Sequence, residues 1–298
     1  MTDALYLQEL DRARLRMPLW LKRPIACGGK KRITEERIAR SGLQTVCVEA
    51  KCPNRGECFG RGTATFLILG DRCTRSCAFC GVGKGSPGPV SEDEPYRVCE
   101  AALKMGLSHI VVTSVTRDDL ADGGASYFAR TVAVLKEKIP GATVEVLVPD
   151  FKGDLSALET VLESKPDIFN HNIETVSRLY SIIRPQAMYE RSLEVLAKAA
   201  EFGVQLGVKS GLMVGLGERP DEVYQTLEDL RKTGCAIVTI GQYLRPSTAQ
   251  VPVEEFIAPK QFKRYEARGL GLGFSRVFAG AFVRSSYRAE EITNRNGF

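Results

Sequence analysis

From Thr63 onward, short runs rich in β-branched and apolar residues alternate with longer stretches whose apolar positions recur at helical spacing. The runs are Thr63–Gly70, His109–Ser114, Thr143–Val148, Ile168–Asn172, Gln205–Val208 and Ala236–Gly241. Helical patterns lie near Pro95–Met105, Ala125–Lys138, Leu155–Ser164, Leu193–Phe202 and Asp221–Thr233. Alternation at this spacing predicts βαβ units and a parallel sheet. Six repeats fall short of the eight that close a full barrel, so the expected α/β fold is a partial (β/α)6 TIM-like barrel. A further helix is expected near Pro259–Arg268 and a short strand near Arg276–Phe278. Residues 1–60 show little periodicity beyond a helical stretch at Thr34–Ser41, and read as an extension wrapped on the barrel of residues 61–279. The polar tail, 280–298, is expected to lie over the barrel mouth.

Distinctive polar residues follow most of the runs: Asp71, Thr113 to Asp119, Asn172, Glu174, Lys209, Ser210 and Gln242. In a parallel barrel the strand C-termini share one face, and that face hosts the chemistry. Polar residues also end strands and cap helices without any such role.

Composition narrows the class. The chain has 298 residues, 44% hydrophobic and 26% charged, as in an ordinary globular protein. No apolar run reaches the roughly 18 residues of a membrane span. Met1 to Asp11 carries acidic residues and no apolar core of a signal, so a cytoplasmic protein is expected. A net charge of +5 without a dense Lys/Arg block argues against nucleic acid and suits an acidic protein partner equally well.

Six of the nine cysteines fall between Cys47 and Cys80. In a cytosolic chain, thiols clustered this way read as metal ligands or redox groups rather than disulfides. Cys73, Cys77 and Cys80 form C-x3-C-x2-C directly after the first strand. Three thiolates in one loop hold three irons of a [4Fe–4S] cube and leave the fourth open to a small molecule. The competing reading is a structural zinc site, but zinc takes four ligands, commonly in two C-x2-C pairs, and neither His109 nor His171 is close in sequence. Cys47, Cys52 and Cys58 form a second incomplete set, C-x4-C-x5-C. Cys99 and Cys235 read as buried small hydrophobes, and Cys27 has no assigned role. Gly81–Gly85 and Gly269–Gly273 fail the spacings of phosphate-binding loops.

The C-x3-C-x2-C loop, with Gly211-Leu-Met-Val-Gly-Leu-Gly-Glu218, resembles the radical S-adenosylmethionine superfamily. C-x4-C-x5-C ahead of it, together with Arg284-Ser-Ser-Tyr287, is similar to the lipoyl synthase family over almost the whole chain. The resemblance implies a sulfurtransferase with two [4Fe–4S] clusters and S-adenosylmethionine. Cys73, Cys77 and Cys80 would hold the radical-generating cluster. Cys47, Cys52, Cys58 and Ser286, with Ser285 the neighbour easily confused with it, would hold an auxiliary cluster consumed as the sulfur donor. Gly215 and Glu218 would help seat the adenine. The implied reaction abstracts hydrogen at C6 and then C8 of a protein-bound octanoyl chain and delivers one sulfur to each carbon. Implied partners are an octanoylated lipoyl domain or glycine-cleavage H protein, a reductant such as flavodoxin or ferredoxin, and an iron–sulfur carrier protein, with no nucleic acid and no membrane.

Further assignments rest on position at strand ends. Asn172 and Glu174 are candidates for the ribose or methionine moiety, and Gln242 and Tyr243 for the adenine side. Thr113, Ser114, Arg117 and Asp118 are candidates for the methionyl group, and Arg184 and Lys209 for a carboxylate or partner charge. Asp118–Asp119 suggest an acid/base pair, but an ion pair with Arg117 is preferred; His171 reads as a donor to a group that itself touches the cofactor or as a satisfied core histidine. The chain departs from the family pattern at Phe59, where Trp is usual, and at Gln250-Val-Pro252, where His-Leu-Pro is expected. The second departure bears on partner preference or the peptide channel. Alternatives are a radical enzyme resembling biotin synthase, whose second cluster has other ligands, a paralogue with another substrate, or a non-catalytic metal-binding protein.

Overall fold

The structure is a computed structural model and describes residues 16–22 and 29–292. Cys27, Pro24 and the Met1–Asp11 start lie outside the described residues.

The strands are β1 (Gln44–Thr45), β2 (Thr65–Ile68), β3 (Arg72–Cys73), β4 (Gly83–Lys84), β5 (His109–Ser114), β6 (Thr143–Leu147), β7 (Ile168–Asn170), β8 (Val208–Val214), β9 (Ile237–Gln242) and β10 (Arg276–Gly280). Eight of them make one sheet in the order β1-β2-β5-β6-β7-β8-β9-β10. From β2 to β10 every pairing is parallel; β1 joins the open edge antiparallel, with Gln44 opposite Leu67. This is the partial barrel expected, widened by β10 as a seventh parallel strand. The N-terminal segment supplies the sheet's first edge, which leaves less unpaired backbone exposed.

Strands buried on both faces read as continuous apolar runs. β2 (Thr-Phe-Leu-Ile) and β9 are buried at every position. Helices Glu94–Met105, Ala125–Lys138, Leu155–Glu163, Tyr189–Phe202, Pro220–Lys232 and Pro259–Gly271 form the outer layer, with amphipathic stripes such as Val98, Cys99, Ala101 and Ala102 facing the sheet. Leu155–Glu163 starts where it does because Asp154 caps it, accepting from the Ser156 and Ala157 amides, worth about 1 kcal/mol.

Several boundaries differ from expectation, among them the start of the helix expected at Leu193–Phe202, which begins at Tyr189. The strand expected at Gln205–Val208 is instead Val208–Val214. Lys209 and Ser210 looked like post-strand polar residues, but each is paired inside the barrel: Lys209 Nζ lies 2.9 Å from Glu145 Oε1, and Ser210 Oγ donates to the His171 carbonyl at 2.8 Å. The first helix begins at Gly29 rather than Thr34.

Below the mouth, Glu145 forms a buried cluster with Lys209, with Asn170 Nδ2 at 3.0 Å and with His109 Nε2 at 3.2 Å. Cys99 and Cys235 are buried as expected, and Phe59 fills a small apolar cluster with Ile38, Cys47 and Ala64. Among the described residues no helix is long and apolar enough to cross a membrane.

Candidate active site

The strand C-termini open into a cavity of about 340 Å³. All six clustered cysteines line it: Cys47, Cys52 and Cys58 from the N-terminal segment, and Cys73, Cys77 and Cys80 from the loop after β2. The tail residues Val283 to Tyr287 form another wall.

The loop bearing Cys73, Cys77 and Cys80 is held at both ends and in the middle. β3 pairs with β4 across its base. Thr74 N and Oγ1 both donate to the Thr116 carbonyl, at 3.1 and 2.9 Å, and Ala78 N donates to Ile183 O at 2.9 Å. Arg75, buried between Cys73 and Cys77, pairs with Asp118 at 2.8 Å and with Asp150 at 2.6 Å. Arg117 takes Asp119 instead, at 2.8 Å, and also donates to the Leu69 carbonyl. The adjacent aspartates are therefore structural anions on two different arginines. Arg75 escaped sequence reasoning because its partners lie 43 residues away at Asp118 and farther still at Asp150; a charged residue enclosed between thiols was the only signal. Gln250 Nε2 donates to Cys80 O at 3.1 Å, and Val251 N to Ala78 O at 3.1 Å. The unusual Gln250-Val-Pro252 thus braces the cysteine loop.

The tail is laced to the N-terminal segment. Asn54 Nδ2 donates to Phe282 O at 2.6 Å, Tyr287 Oη to Glu57 at 2.8 Å, and Arg61 pairs with Glu290. Two glycines make room for it. A Cβ on Gly241 would meet Val283 O at 2.0 Å, and one on Gly211 would meet Ser285 Oγ at 2.8 Å. Ser285 donates to Asn172 Oδ1 at 2.7 Å. Ser286, with Cys47 and Cys58, lines both the main cavity and a smaller one of about 160 Å³.

The remaining expected residues divide into two groups. Thr113, Ser114, Asn172, Glu174, Arg184 and Tyr243 line the cavity. Thr113 Oγ1 is spent on Leu147 O at 2.9 Å and Tyr243 Oη on Val251 O at 2.8 Å, so these two present the rest of their side chains. Lys209, Gly215, Glu218 and Gln242 are not on its wall. Lys209 neutralises Glu145 instead of offering its charge to a carboxylate or a partner. Gln242 is wholly buried; its Nε2 lies 2.9 Å from Glu255 O, and its Oε1 accepts from Ile257 N at 2.8 Å. Glu218 folds back on its own turn, accepting from Gly215 N at 2.5 Å and Leu216 N at 2.9 Å. Gly215 has φ +96°, and a Cβ there would meet Gln242 Nε2 at 2.2 Å. The glycine–glutamate segment therefore shapes the wall from behind. His171 is the satisfied core histidine, held by Val148 O at 2.9 Å and Ser192 Oγ at 3.0 Å.

The electrostatics suit cationic iron. Burial pushes the Cys80 thiol up to about 12 and Cys47 to about 11. Cys58 rises to about 12 through burial, then through repulsion from Cys47 and Cys52. Such thiols keep their protons until a metal displaces them. Among the described residues no three His, Cys, Asp or Glu side chains converge as a mononuclear ion such as zinc requires. In an iron–sulfur cube each thiolate takes its own iron, so the sulfurs need not meet at one point.

The wall also carries buried polar atoms without a partner among the described residues: Asn54 Oδ1, Ser114 Oγ and Arg184 Nε. Each costs about 1–3 kcal/mol if left unpaired, and such atoms mark where a polar ligand fits. Glu174 adds a carboxylate at φ +67°, a left-handed conformation unusual for a side-chain-bearing residue. Its carboxyl is pushed up by burial, against the pull of Arg184 and Asn172. An amine and a carboxylate, the two ends of an amino acid, would find complementary groups in Glu174 and Arg184.

Residues 67–230 match the family model of the Radical SAM superfamily. Methylornithine synthase shares the fold at a TM-score of 0.53 and 14% identity, covering 89% of this chain and 84% of that one. HydG, a maturase of the [FeFe]-hydrogenase, does so at 0.54 and 15%, covering 94% and 72%. Far nearer in sequence are lipoyl synthases: that of Caldanaerobacter subterraneus subsp. tengcongensis is 56% identical over 93% of this chain and 96% of its own. Those of Rubrobacter xylanophilus and Thermus thermophilus are 53% and 50% identical, covering 95% and 92% of this chain and 88% and 86% of theirs. At this identity and coverage, with two cysteine triads on one cavity, the chain belongs to the lipoyl synthase family of the radical SAM superfamily.

Proposed function

We propose that Cys73, Cys77 and Cys80 hold the radical-generating cluster, and that Cys47, Cys52, Cys58 and Ser286 hold the auxiliary cluster that donates sulfur. The chain is a lipoyl synthase, a sulfur-inserting enzyme acting on a protein-bound octanoyl group with a reductant, S-adenosylmethionine and two [4Fe–4S] clusters as cofactors. When bound, these cofactors supply a 5′-deoxyadenosyl radical and the sulfur to be inserted.

The protein's part is placement and exclusion of water. The observation that carries the reading is that both triads line one cavity, closed by the tail that bears Ser286. Arg75, clamped by Asp118 and Asp150, keeps the Cys73–Cys80 loop in place. Arg184 receives the methionyl carboxylate at Nε, which has no partner among the described residues, Glu174 faces the amine, and Ser114 Oγ offers a further bond. Ser286 is favoured over Ser285 because Ser285 is bonded to Asn172 whereas Ser286 shares the lining of both cavities with Cys47 and Cys58. In this division residues 1–60 carry the donor ligands, 61–279 the radical barrel and 280–298 the serine tail. The acceptor is an octanoyl-lysine of a lipoyl domain or H protein, with flavodoxin or ferredoxin as reductant and an iron–sulfur carrier for repair. The protein acts in the cytoplasm.

Product analysis with an octanoyl-lysyl peptide and the reconstituted, reduced enzyme tests the reaction. A 6,8-dithiolated peptide is expected, with two molecules of 5′-deoxyadenosine released for each. S-Adenosylmethionine cleavage without thiolated peptide would overturn the substrate assignment.

A further inference from the structure

We infer that Tyr180, Ser192 and His171 form a one-directional hydrogen-bond relay that fixes which edge of Arg184 faces the cavity, making them positioning residues for the S-adenosylmethionine carboxylate. The inference rests on the reading of Arg184 given above.

The chain of contacts is continuous and buried. Arg184 Nη1 lies 2.6 Å from Tyr180 Oη, Tyr180 Oη 2.8 Å from Ser192 Oγ, and Ser192 Oγ 3.0 Å from His171 Nε2. His171 Nδ1 lies 2.9 Å from Val148 O. Chemistry at the two ends settles every proton between them. A carbonyl only accepts, so Nδ1 carries the hydrogen. A guanidinium only donates, so Tyr180 Oη accepts from it. Burial, then the charge of Arg184, pushes the His171 imidazole down to about 4, which leaves Nε2 a bare acceptor at neutral pH. Ser192 must then donate to Nε2, and Tyr180 to Ser192. Each hydroxyl gives one proton and receives one, with no alternative arrangement of equal energy.

The consequence falls on Arg184. Nη1 is committed to Tyr180 Oη and, at 3.1 Å, to Asn172 O, while the guanidinium stacks over the Tyr180 ring with 5.1 Å to its centroid. The Nε–Nη2 edge, the fork that matches a carboxylate, is what remains. Nε has no partner among the described residues. The charge of Glu174 reaches Arg184, yet the two form no ion pair there. The relay holds the guanidinium off Glu174 and keeps its fork available.

The test compares equilibrium binding of S-adenosylmethionine with that of its decarboxylated analogue to the reconstituted, unreduced enzyme. The wild type should prefer the carboxylate-bearing ligand by about tenfold or more, the scale of a charge-assisted fork. Tyr180→Phe and Ser192→Ala should lose most of that preference, with analogue affinity held within about twofold, and Ser192→Thr should restore it. Should Tyr180→Phe misfold, the Ser192 pair carries the test. Full preference in Tyr180→Phe and Ser192→Ala, together with its loss in Arg184→Met, would overturn the relay while sparing Arg184. Full preference in Arg184→Met would overturn the Arg184 reading and the relay with it.

Discussion

Ser285 Oγ donates to Asn172 Oδ1 at 2.7 Å, joining the C-terminal tail to the end of β7 across 113 residues of sequence. The Asn172 amide is oriented for this because its Nδ2 faces Glu174 Oε1 at 3.1 Å. One serine of Arg284-Ser-Ser-Tyr287 is thereby anchored, and the next lines the same cavities as Cys47 and Cys58.

The two serines should therefore behave differently. Ser286→Ala should lower dithiolated product by at least about a hundredfold, the scale on which losing a metal-site group acts. Cleavage of S-adenosylmethionine should persist. Ser285→Ala loses one neutral hydrogen bond, about 1 kcal/mol, and should cost tenfold or less. Mass spectrometry of an octanoyl-peptide product, with 5′-deoxyadenosine measured in the same sample, separates them; equal losses contradict the assignment.

Gly241→Ala tests the docking of the tail. The added Cβ would meet the Val283 carbonyl at 2.0 Å, a backbone atom that cannot swing aside. The tail should lift while the barrel stays folded, because the clash is confined to the tail's approach. Limited proteolysis should cut residues 281–292 faster than in the wild type. Thiolation should fall by about tenfold or more, since small misplacements cost that much. Unchanged proteolysis would show that the tail finds another path.

Arg75→Met should be severe for a residue that touches no cofactor. It leaves Asp150 wholly buried, with the Lys152 amide at 3.2 Å and, as its one remaining ion-pair partner among the described residues, Arg191 at 3.4 Å. Removing one partner of a buried pair costs about 3–5 kcal/mol. Denaturant unfolding of the reconstituted protein should shift accordingly, and S-adenosylmethionine cleavage should fall together with thiolation because the Cys73–Cys80 loop serves both.

Acid sensitivity follows from Glu145 and Asp150. Burial pushes both up, but Lys209 and His109 around Glu145, and Arg75 beside Asp150, outweigh it and hold each near about 2, below ordinary values of 4.5 and 3.8. A carboxyl depressed in the folded state adds stability above its unfolded value and loses it as pH falls through the folded one. The loss should occupy the interval from pH about 4.5 down to about 2. Circular dichroism of the metal-free chain, where acid-labile sulfide does not interfere, measures it. Glu145→Gln should give a shallower decline, and an identical slope would contradict the assignment.

What the sequence disclosed, and what it withheld, follow from the range of the interactions. The cysteine spacings are local, so both triads were legible before any fold was known. Strand–helix alternation is local too, and it located every strand of the parallel sheet except β8 closely. There, Lys209 and Ser210 interrupted the apolar run, and nothing nearby signalled that Glu145 and the His171 carbonyl would satisfy them inside the barrel. Gln242 lies off the cavity wall for the same reason, its amide serving backbone at Glu255 and Ile257, whereas Glu218 caps the amides of its own turn. Arg75 and the His171 relay depend on partners far along the chain, which periodicity does not register.

Iron and sulfide content of the two triad variants tests the central claim most directly. Anaerobically reconstituted wild type should hold about eight irons and eight sulfides per chain. Replacing Cys47, Cys52 and Cys58 with alanine, or Cys73, Cys77 and Cys80, should each leave about four of both, with Mössbauer parameters of an intact cube. If either triple variant lost all its iron, or the wild type held only four, the six thiols would serve a single cluster, and two cofactors facing one cavity would be excluded.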